Sequence, residues 1–142
     1  MALQRKGSAQ WKGGLKDGKG TVSTASGVLK GTPYSFSSRF EGQQGTNPEE
    51  LIGAAHAGCF SMALSAQLDG AGLKAESIDT TATVSLEKLE AGFAITSVHL
   101  EVRAKVPNAD NAKFDELTNK AKEGCPVSKV LNAKITMDAK LA

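Results

Sequence analysis

The chain has 142 residues and two cysteines, Cys59 and Cys125, whose thiols are its most nucleophilic side chains once ionised. Cys125 precedes Pro126 at the predicted start of a short helix, where backbone N–H groups and the helix dipole lower the pKa of a thiol. Cys59 lies within an apolar segment, where burial raises the pKa. Both cysteines also fit ordinary core residues that pack as small hydrophobic groups. The residue types therefore leave inert and reactive cysteines open, and predict Cys125 to be the more acidic.

A thiolate at Cys59 requires a nearby cation, because a thiol with a pKa of about 8.5 is only about 3% ionised at pH 7. Arginine suits this task, since it stays charged and presents a planar fork. A buried arginine needs a counter-charge, and Glu49 stands about three turns before Cys59, where it could orient an arginine over the site. Arg39 and Glu49 also fit an exposed strand residue and a carboxylate at a helix start. The arginines of the chain are Arg5, Arg39 and Arg103.

Other catalytic classes find little support in the residue pattern. His56 lies one turn before Cys59, but only His99 and Cys125 remain to complete a metal site, so no structural zinc is expected. His56 is interpreted instead as a core histidine with a hydrogen-bond partner. The sequence contains no Gly-x-Ser-x-Gly, Gly-x-Gly-x-x-Gly or Walker motif, which argues against a serine hydrolase and a nucleotide site.

Charge and hydropathy bear on partners and location. The 17 Lys and Arg residues against 15 Asp and Glu leave a charge of +2, spread along the chain, so nucleic-acid binding is not expected. The segment Met1–Trp11 has no apolar core of a secretory signal. The apolar stretch Leu51–Leu64 is short for a bilayer and is interrupted by His56. These features predict a cytoplasmic protein without a membrane anchor, in which the cysteines form no permanent disulfide.

The N-terminal part, rich in Gly, Ser and Thr, predicts short strands at Ala9–Gly13, Thr21–Thr24 and Tyr34–Phe40. A turn at Asp17-Gly18 would join the first two. In the third strand, side chains at even positions would share one face, and these include the aromatic residues Tyr34, Phe36 and Phe40. Arg39 would then point to the opposite face.

A long helix is predicted next. Asn47 suits its N-cap and Pro48 its first position, while Gly70 marks its end. The middle of this segment is apolar or small on every side, which predicts a buried helix through the centre of the molecule. Small residues, among them Gly53 and Gly58, would let another element approach closely.

The remaining pattern predicts two strands around a turn at residues 90–92, with a β-bulge near Thr96-Ser97 in the second strand. A helix over Ala112–Glu123, a short helix from Cys125 and a final strand over residues 135–141 would follow. The order βββ-α-ββ-α-α-β indicates an α+β fold with sheets wrapped around the central helix. We expect one domain over residues 1–142, with an N-terminal β-segment at 1–45 and a helix-centred core at 46–142.

Several stretches together resemble one known family. They are Ser38-Arg39-Phe40-Glu41-Gly42, the segment from Gly45 to Leu51, the segment from Ala54 to Leu64, and Ala121–Ser128 around the second cysteine. This pattern resembles the osmotically inducible protein C (OsmC) and organic hydroperoxide resistance family. The likeness extends from Gly7 to the C-terminus, and the Ser-Arg-Phe-Glu-Gly stretch, with Trp11 and Gly18-Lys19-Gly20, is similar to the OsmC branch.

The resemblance implies a thiol-dependent peroxidase, built as an intertwined homodimer with its sites at the subunit interface. It implies that Cys59 is the peroxidatic nucleophile and Cys125 the resolving thiol, an assignment that takes precedence over the helix-start argument. Arg39 would stabilise the thiolate and polarise the peroxide, and Glu49 would hold Arg39.

The implied substrate is an alkyl or lipid hydroperoxide. The implied reductant is an external dithiol, such as a lipoyl-type group, and no metal, flavin or haem is required. A stress protein that binds a small ligand or a metal and has inert cysteines stays open as the alternative.

Overall fold

The computed structural model describes residues 2–142, and Met1, the first residue of the predicted domain, lies outside them. The described residues form two three-stranded sheets and four helices, so the predicted α+β class is confirmed. The elements are β1 (Gly7–Lys12), β2 (Lys19–Thr24), β3 (Thr32–Tyr34), α1 (Phe36–Phe40), α2 (Pro48–Gly70), β4 (Ser77–Leu89), β5 (Gly92–Lys105), α3 (Asn111–Gly124), α4 (Pro126–Val130) and β6 (Lys134–Leu141).

Two compact units divide the chain between Leu51 and Ile52. The first contains the sheet β1-β2-β3, helix α1 and the first turn of α2, and the second contains the rest of α2, the sheet β4-β5-β6 and helices α3 and α4. The observed boundary falls a few residues after the division predicted at residue 45. Whether the two units act as one domain stays a prediction.

In the first unit, β1 and β2 form an antiparallel hairpin, and the predicted turn at Asp17-Gly18 is confirmed by a bond from Gly18 N to Gly14 O of 2.9 Å. Gly20 lies under two aromatic rings, and a Cβ atom there would stand 2.5 Å from atoms of both Trp11 and Tyr34. The centroids of these two rings are 5.5 Å apart. Glycine therefore lets the strand pass directly beneath the aromatic pair.

The strand predicted at Tyr34–Phe40 is wrong beyond Tyr34, because Phe36–Phe40 forms the short helix α1. Ser35 caps this helix: its Oγ accepts from Ser38 N at 3.1 Å, while Ser38 Oγ accepts from Ser35 N at 2.9 Å. This reciprocal pair satisfies two N–H groups that a strand would have left for sheet pairing. Arg39 consequently lies in the last turn of a helix, not on a strand face.

The core of the second unit lies between α2, α3 and β5. On α2 the fully buried positions recur every fourth residue at His56, Phe60, Leu64 and Leu68. Alternate residues of β5 face them, as the sequence pattern predicts. The predicted bulge is confirmed, because Ser85 pairs with Ser97 but Leu86 with Ile95, which leaves Thr96 extra. The buried residues of β5 and α3 are Val98, Leu100, Val102, Ala104, Phe114, Leu117 and Ala121.

Helix α2 begins and ends as predicted, with Asn47 Oδ1 accepting from Glu50 N at 2.8 Å. Burial on every side is not observed in the single chain, since Met62 on its other face is 78% exposed. The apolar composition of a helix indicates that its faces are buried. It does not indicate whether the same chain or another chain buries them. Of the small residues, Gly53 does permit a close approach, because a Cβ there would stand 3.1 Å from Ala82 O, whereas Gly58 has open space.

Helix α2 is also the one helix in residues 2–142 that is long and apolar enough to cross a membrane. The helix has 23 residues and extends beyond the apolar stretch Leu51–Leu64, so the shortness of that stretch does not by itself exclude a membrane span. The core helix of a soluble protein has the same length and composition, and the buried face of α2 is of that kind.

Candidate active site

The two cysteines lie together in the second unit, with their Sγ atoms 3.0 Å apart and no disulfide between them. Cys59 projects from the middle of α2, and Cys125 stands at the junction of α3 and α4. A disulfide bond is about 2.05 Å long, so an approach of about 1 Å would join the sulfurs. The fold therefore brings together two thiols that are far apart in the sequence.

Cys125 is held by the two helices that it separates. Its N–H donates to Ala121 O at 2.9 Å, closing α3, and its carbonyl accepts from Lys129 N at 3.1 Å, opening α4. Pro126 occupies the first position of α4. Proline there fixes the backbone in a helical conformation and removes an N–H that would have had no partner. The Cys125 side chain is consequently fixed at a point where the chain changes direction.

The two thiols differ in access to solvent. Cys125 is 0% exposed, whereas Cys59 is partly exposed. Of the two residues, Cys59 is therefore the more open to a dissolved molecule. Accessibility favours Cys59 as the thiol that meets a substrate.

The two thiols differ in acidity in the opposite sense. Burial raises the pKa of the Cys59 thiol, and the adjacent Cys125 raises it further. Burial also acts to raise the pKa of Cys125, but hydrogen bonding from Cys59, from Ser128 and from the Val127 N–H outweighs it, so this pKa lies below its usual value. The two directions agree with the sequence expectation that Cys125 is the more acidic thiol, which stays a prediction. Cys59 needs a cation from elsewhere to be ionised first.

A buried histidine stands beside the sulfur pair. His56 is 0% exposed, and its Nε2 lies 2.7 Å from Ser128 Oγ. Within residues 2–142 its Nδ1 is buried without a hydrogen-bond partner, and burial lowers the pKa of the ring, which favours the neutral form. The predicted core position of His56 is confirmed, but its hydrogen bonding is satisfied at Nε2 alone. The identity of that partner, Ser128, could not be found from the sequence without the fold.

Arg39 and Glu49 form a two-pronged ion pair in the first unit. Arg39 Nε donates to Glu49 Oε1 and its Nη2 to Glu49 Oε2, each at 2.9 Å. The Glu49 side chain is 11% exposed and that of Arg39 36%. Such a paired arrangement fixes the plane of the guanidinium and leaves one edge free. The sequence expectation that Glu49 holds Arg39 agrees with this geometry, and their part in catalysis stays a prediction.

Both partners of this pair are held by local structure. Glu49 lies in the first turn of α2, where the helix dipole favours a carboxylate. Ser38 Oγ donates to Thr46 O at 2.9 Å, and Asn47 Nδ2 donates to Ser38 O at 3.3 Å. These bonds tie α1 to the start of α2. Arg39 therefore meets Glu49 across a short, fixed connection.

An apolar cavity of about 270 Å³ adjoins Arg39 within the first unit. Its wall is mostly aromatic, and Arg39 also lies 5.1 Å from the centre of the Phe40 ring. A pocket of this kind accepts an apolar group beside a cation. The lining side chains include Trp11, Leu15, Tyr34, Phe36, Arg39 and Phe40.

Within residues 2–142, no three His, Cys, Asp or Glu side chains converge as metal ligands.

The site residues named from the sequence fall into two groups. The sulfur pair lies in the second unit, and the Arg39–Glu49 pair lies in the first. The residue that sequence reasoning missed is Ser128. Its hydroxyl contacts His56, which lies 72 positions earlier in the chain, so no local pattern indicates this contact.

Comparisons with known proteins agree on one family. The family model for OsmC-like protein matches residues 41–140. The chain is 60% identical over 141 residues to Peroxiredoxin OsmC of Escherichia coli (strain K12), which covers 99% of both sequences. It is 32% identical to the organic hydroperoxide resistance protein OhrB of Bacillus subtilis (strain 168), over 86% of this chain and 88% of that protein. The crystal structure of that OhrB superposes with a TM-score of 0.72 at 28% identity, over 97% of this chain and 98% of the other.

Proposed function

Since the chain belongs to the OsmC-like protein family, we propose that it is a thiol-dependent peroxidase that reduces organic hydroperoxides in stress defence. The names of its relatives support a peroxidase-type function. The single observation that carries the mechanism is the distance of 3.0 Å between the Cys59 and Cys125 sulfurs. Two free thiols at this separation can be oxidised to a disulfide, a two-electron step, with little movement of the backbone.

In the proposed first step, the Cys59 thiolate attacks one oxygen of the peroxide. The O–O bond breaks, an alcohol leaves, and Cys59 becomes a sulfenic acid. Cys59 is assigned this part because it is partly exposed, while Cys125 is fully buried. The lower pKa of Cys125 opposes the assignment, so the proposal requires a cation that shifts the negative charge to Cys59.

Arg39 is the proposed cation. It stays charged at every relevant pH, and Glu49 fixes its orientation through two hydrogen bonds of 2.9 Å. In the proposed site it stabilises the Cys59 thiolate and polarises the peroxide. The aromatic cavity beside Arg39 suits the alkyl group of an organic hydroperoxide better than it suits hydrogen peroxide.

In the proposed second step, Cys125 attacks the sulfenic acid, and water leaves as the disulfide forms. An external dithiol, such as a lipoyl-type group, then restores both thiols by exchange. The cycle as written uses no metal, flavin or haem. We place it in the cytoplasm, where cysteines that carry no permanent disulfide are kept reduced.

A homodimer is part of the proposal. The exposed face of α2 carries Met62 at 78% exposure, and all six residues of β1 are exposed in the single chain. Apolar surface on a long helix and an uncovered strand are features that a second copy would cover.

Thiol titration tests the proposed function directly. One equivalent of cumene hydroperoxide should remove both thiols of the reduced protein, and a dithiol should return both. A ligand-binding stress protein with inert cysteines would keep both thiols after peroxide. A metal-dependent protein would lose its activity with a chelator and would tolerate substitution of Arg39.

A further inference from the structure

One wall of the aromatic cavity beside Arg39 is formed across the three strands of the first sheet. Gly20 on β2 pairs with Trp11 on β1 and with Tyr34 on β3, so the three residues lie side by side. A Cβ atom at Gly20 would stand 2.5 Å from Trp11 Cε3 and 2.5 Å from Tyr34 Cε1. Because glycine leaves this space open, both rings lean over the middle strand, with their planes 57° apart.

The indole of Trp11 is also fixed at its polar end. Its Nε1 donates to Gly13 O at 3.2 Å, and a Cβ atom at Gly18 would stand 2.9 Å from the same nitrogen. Gly18 and Gly20 therefore both leave room for the indole, one near its nitrogen and the other near its six-membered ring. Since the N–H is bonded to the backbone, what the indole offers to the cavity is apolar surface.

Trp11 is held in place but is not covered. Its exposed fraction is 36%, and that of Leu15, which lines the same cavity, is 67%. Packing within the first unit therefore leaves part of both apolar side chains in contact with water. Fixed apolar side chains that remain open to water beside a charged group are typical of a ligand pocket.

The size of the cavity limits the group that it can hold. An apolar cavity of about 150 Å³ is large enough for one benzene molecule. The cavity beside Arg39 has a volume of about 270 Å³. It therefore has room for a phenyl ring that carries one branched carbon, which is the apolar part of cumene hydroperoxide.

We propose that Trp11 is a specificity-determining residue, because its indole is the wall against which a compact, bulky apolar group packs. This inference rests on the proposed function for the reaction, in which the peroxide group meets Arg39, whereas the binding of the apolar group does not depend on it. The favoured substrates are hydroperoxides whose peroxide-bearing carbon carries a phenyl or a tertiary alkyl group. Hydrogen peroxide has no such group and gains nothing from the wall.

Trp11 is the only tryptophan of the chain, so its fluorescence reports on this cavity alone. The binding test adds 2-phenyl-2-propanol, the alcohol formed from cumene hydroperoxide, to the reduced full chain. The fluorescence should change to a saturating value. Leu15→Ala should weaken the apparent affinity by about tenfold, because part of the contact with a buried leucine is lost. Val28→Ala is the matched control, since Val28 is 84% exposed and lies outside the cavity, and it should bind as the parent chain does.

Two results of this titration would overturn the proposal. One is a fluorescence that the alcohol does not change. The other is a fluorescence that changes with the concentration of the protein and not with the alcohol, because a second copy of the chain would then cover the indole.

The kinetic test compares kcat/KM for cumene hydroperoxide with kcat/KM for hydrogen peroxide. Trp11→Ala should lower this ratio by about tenfold, and Trp11→Phe should retain most of it, because a phenyl ring keeps an aromatic wall. A variant that merely loosened the fold would lower both values and leave the ratio unchanged. If Trp11→Ala does not fold, Leu15→Ala carries the test, since Leu15 is exposed and should also lower the ratio.

An unchanged ratio in Trp11→Ala, or an equal fall in Val28→Ala, would overturn the role of Trp11. The two tests also separate this role from the proposed function. If the alcohol binds at Trp11 but the parent chain consumes no hydroperoxide, the proposed function fails and the apolar site stands. If the parent chain consumes hydroperoxides while the ratio does not respond to Trp11, the function stands and the specificity proposal fails.

Discussion

Replacement of Arg39 by methionine removes the guanidinium charge and keeps a long apolar stem. Burial and the neighbouring Cys125 place the pKa of Cys59 above its usual value, so without a cation less than about 3% of it is thiolate at pH 7. If Arg39 ionises Cys59 fully, its loss reduces the thiolate by at least about 30-fold. A thiolate of higher pKa is the better nucleophile, and a rise of about two pKa units, which a reduction of about 30-fold implies, recovers about eightfold. Ionisation alone therefore accounts for a loss of at least about fourfold.

Arg39 should also act on the peroxide itself. A charge-assisted hydrogen bond to the departing oxygen corresponds to about 1.5–3 kcal/mol, or about ten- to a hundredfold in rate. Together with the ionisation effect, Arg39→Met should lower the rate constant of the first step by about a hundredfold at pH 7. Arg39→Lys should recover only part of this loss, because a single ammonium cannot bond both Glu49 and the peroxide through a planar fork.

Single-turnover oxidation by cumene hydroperoxide, measured across a range of pH, is the assay. In Arg39→Met the rate should rise with pH until Cys59 ionises, so the deficit should shrink at alkaline pH to the lost polarisation, reduced by the about eightfold gain in nucleophilicity. Arg103→Met is the matched control, since Arg103 is exposed on β5. An Arg39→Met variant with the parent's rate and pH profile would refute the role of Arg39.

Three further substitutions test the ion pair, the exposed face of α2 and the aromatic pair. Glu49→Gln should lower the first-step rate by about fivefold, corresponding to about 1 kcal/mol for a partly exposed ion pair, and equal kinetics would show that Arg39 needs no anchor. Met62→Glu should shift sedimentation towards monomer while Met62→Leu does not, and a stable monomer of the parent chain would contradict the dimer. Gly20→Ala should destabilise the fold by about 1–3 kcal/mol in urea unfolding, because its Cβ would lie 2.5 Å from the Trp11 ring, and an unchanged midpoint would contradict this packing.

Local signals in the sequence predicted most elements of the fold. Asn47, Pro48 and Gly70 marked helix α2, since caps and helix ends depend on a few neighbouring residues. The bulge at Thr96 followed from a change of phase along one strand. The strand predicted through Phe36–Phe40 failed for a local reason as well. Aromatic residues with a period of two favoured a strand, and the Ser35 cap outweighed them.

The parts that sequence reasoning missed depend on contacts between distant segments. The 78% exposure of Met62 could not be predicted from an apolar helix, because composition does not identify which chain covers it. The bond between His56 and Ser128 joins residues 72 positions apart, so neither one predicts the other. The distance of 3.0 Å between the two sulfurs likewise depends on segments that are far apart in the sequence. Resemblance to a family predicted their pairing, and spacing alone left it open.

Mass spectrometry of the oxidised cysteines tests the central claim, that Cys59 is the nucleophile and Cys125 the resolving thiol. After excess hydroperoxide, the unmutated chain should lose two hydrogens as the disulfide forms, and Cys125→Ser should gain two oxygens at Cys59, which then has no partner thiol. Cys59→Ser should consume no peroxide, since a hydroxyl is a poor nucleophile near neutral pH. If Cys59→Ser consumes peroxide and Cys125→Ser does not, the more acidic thiol is the nucleophile and the assignment of the site is reversed.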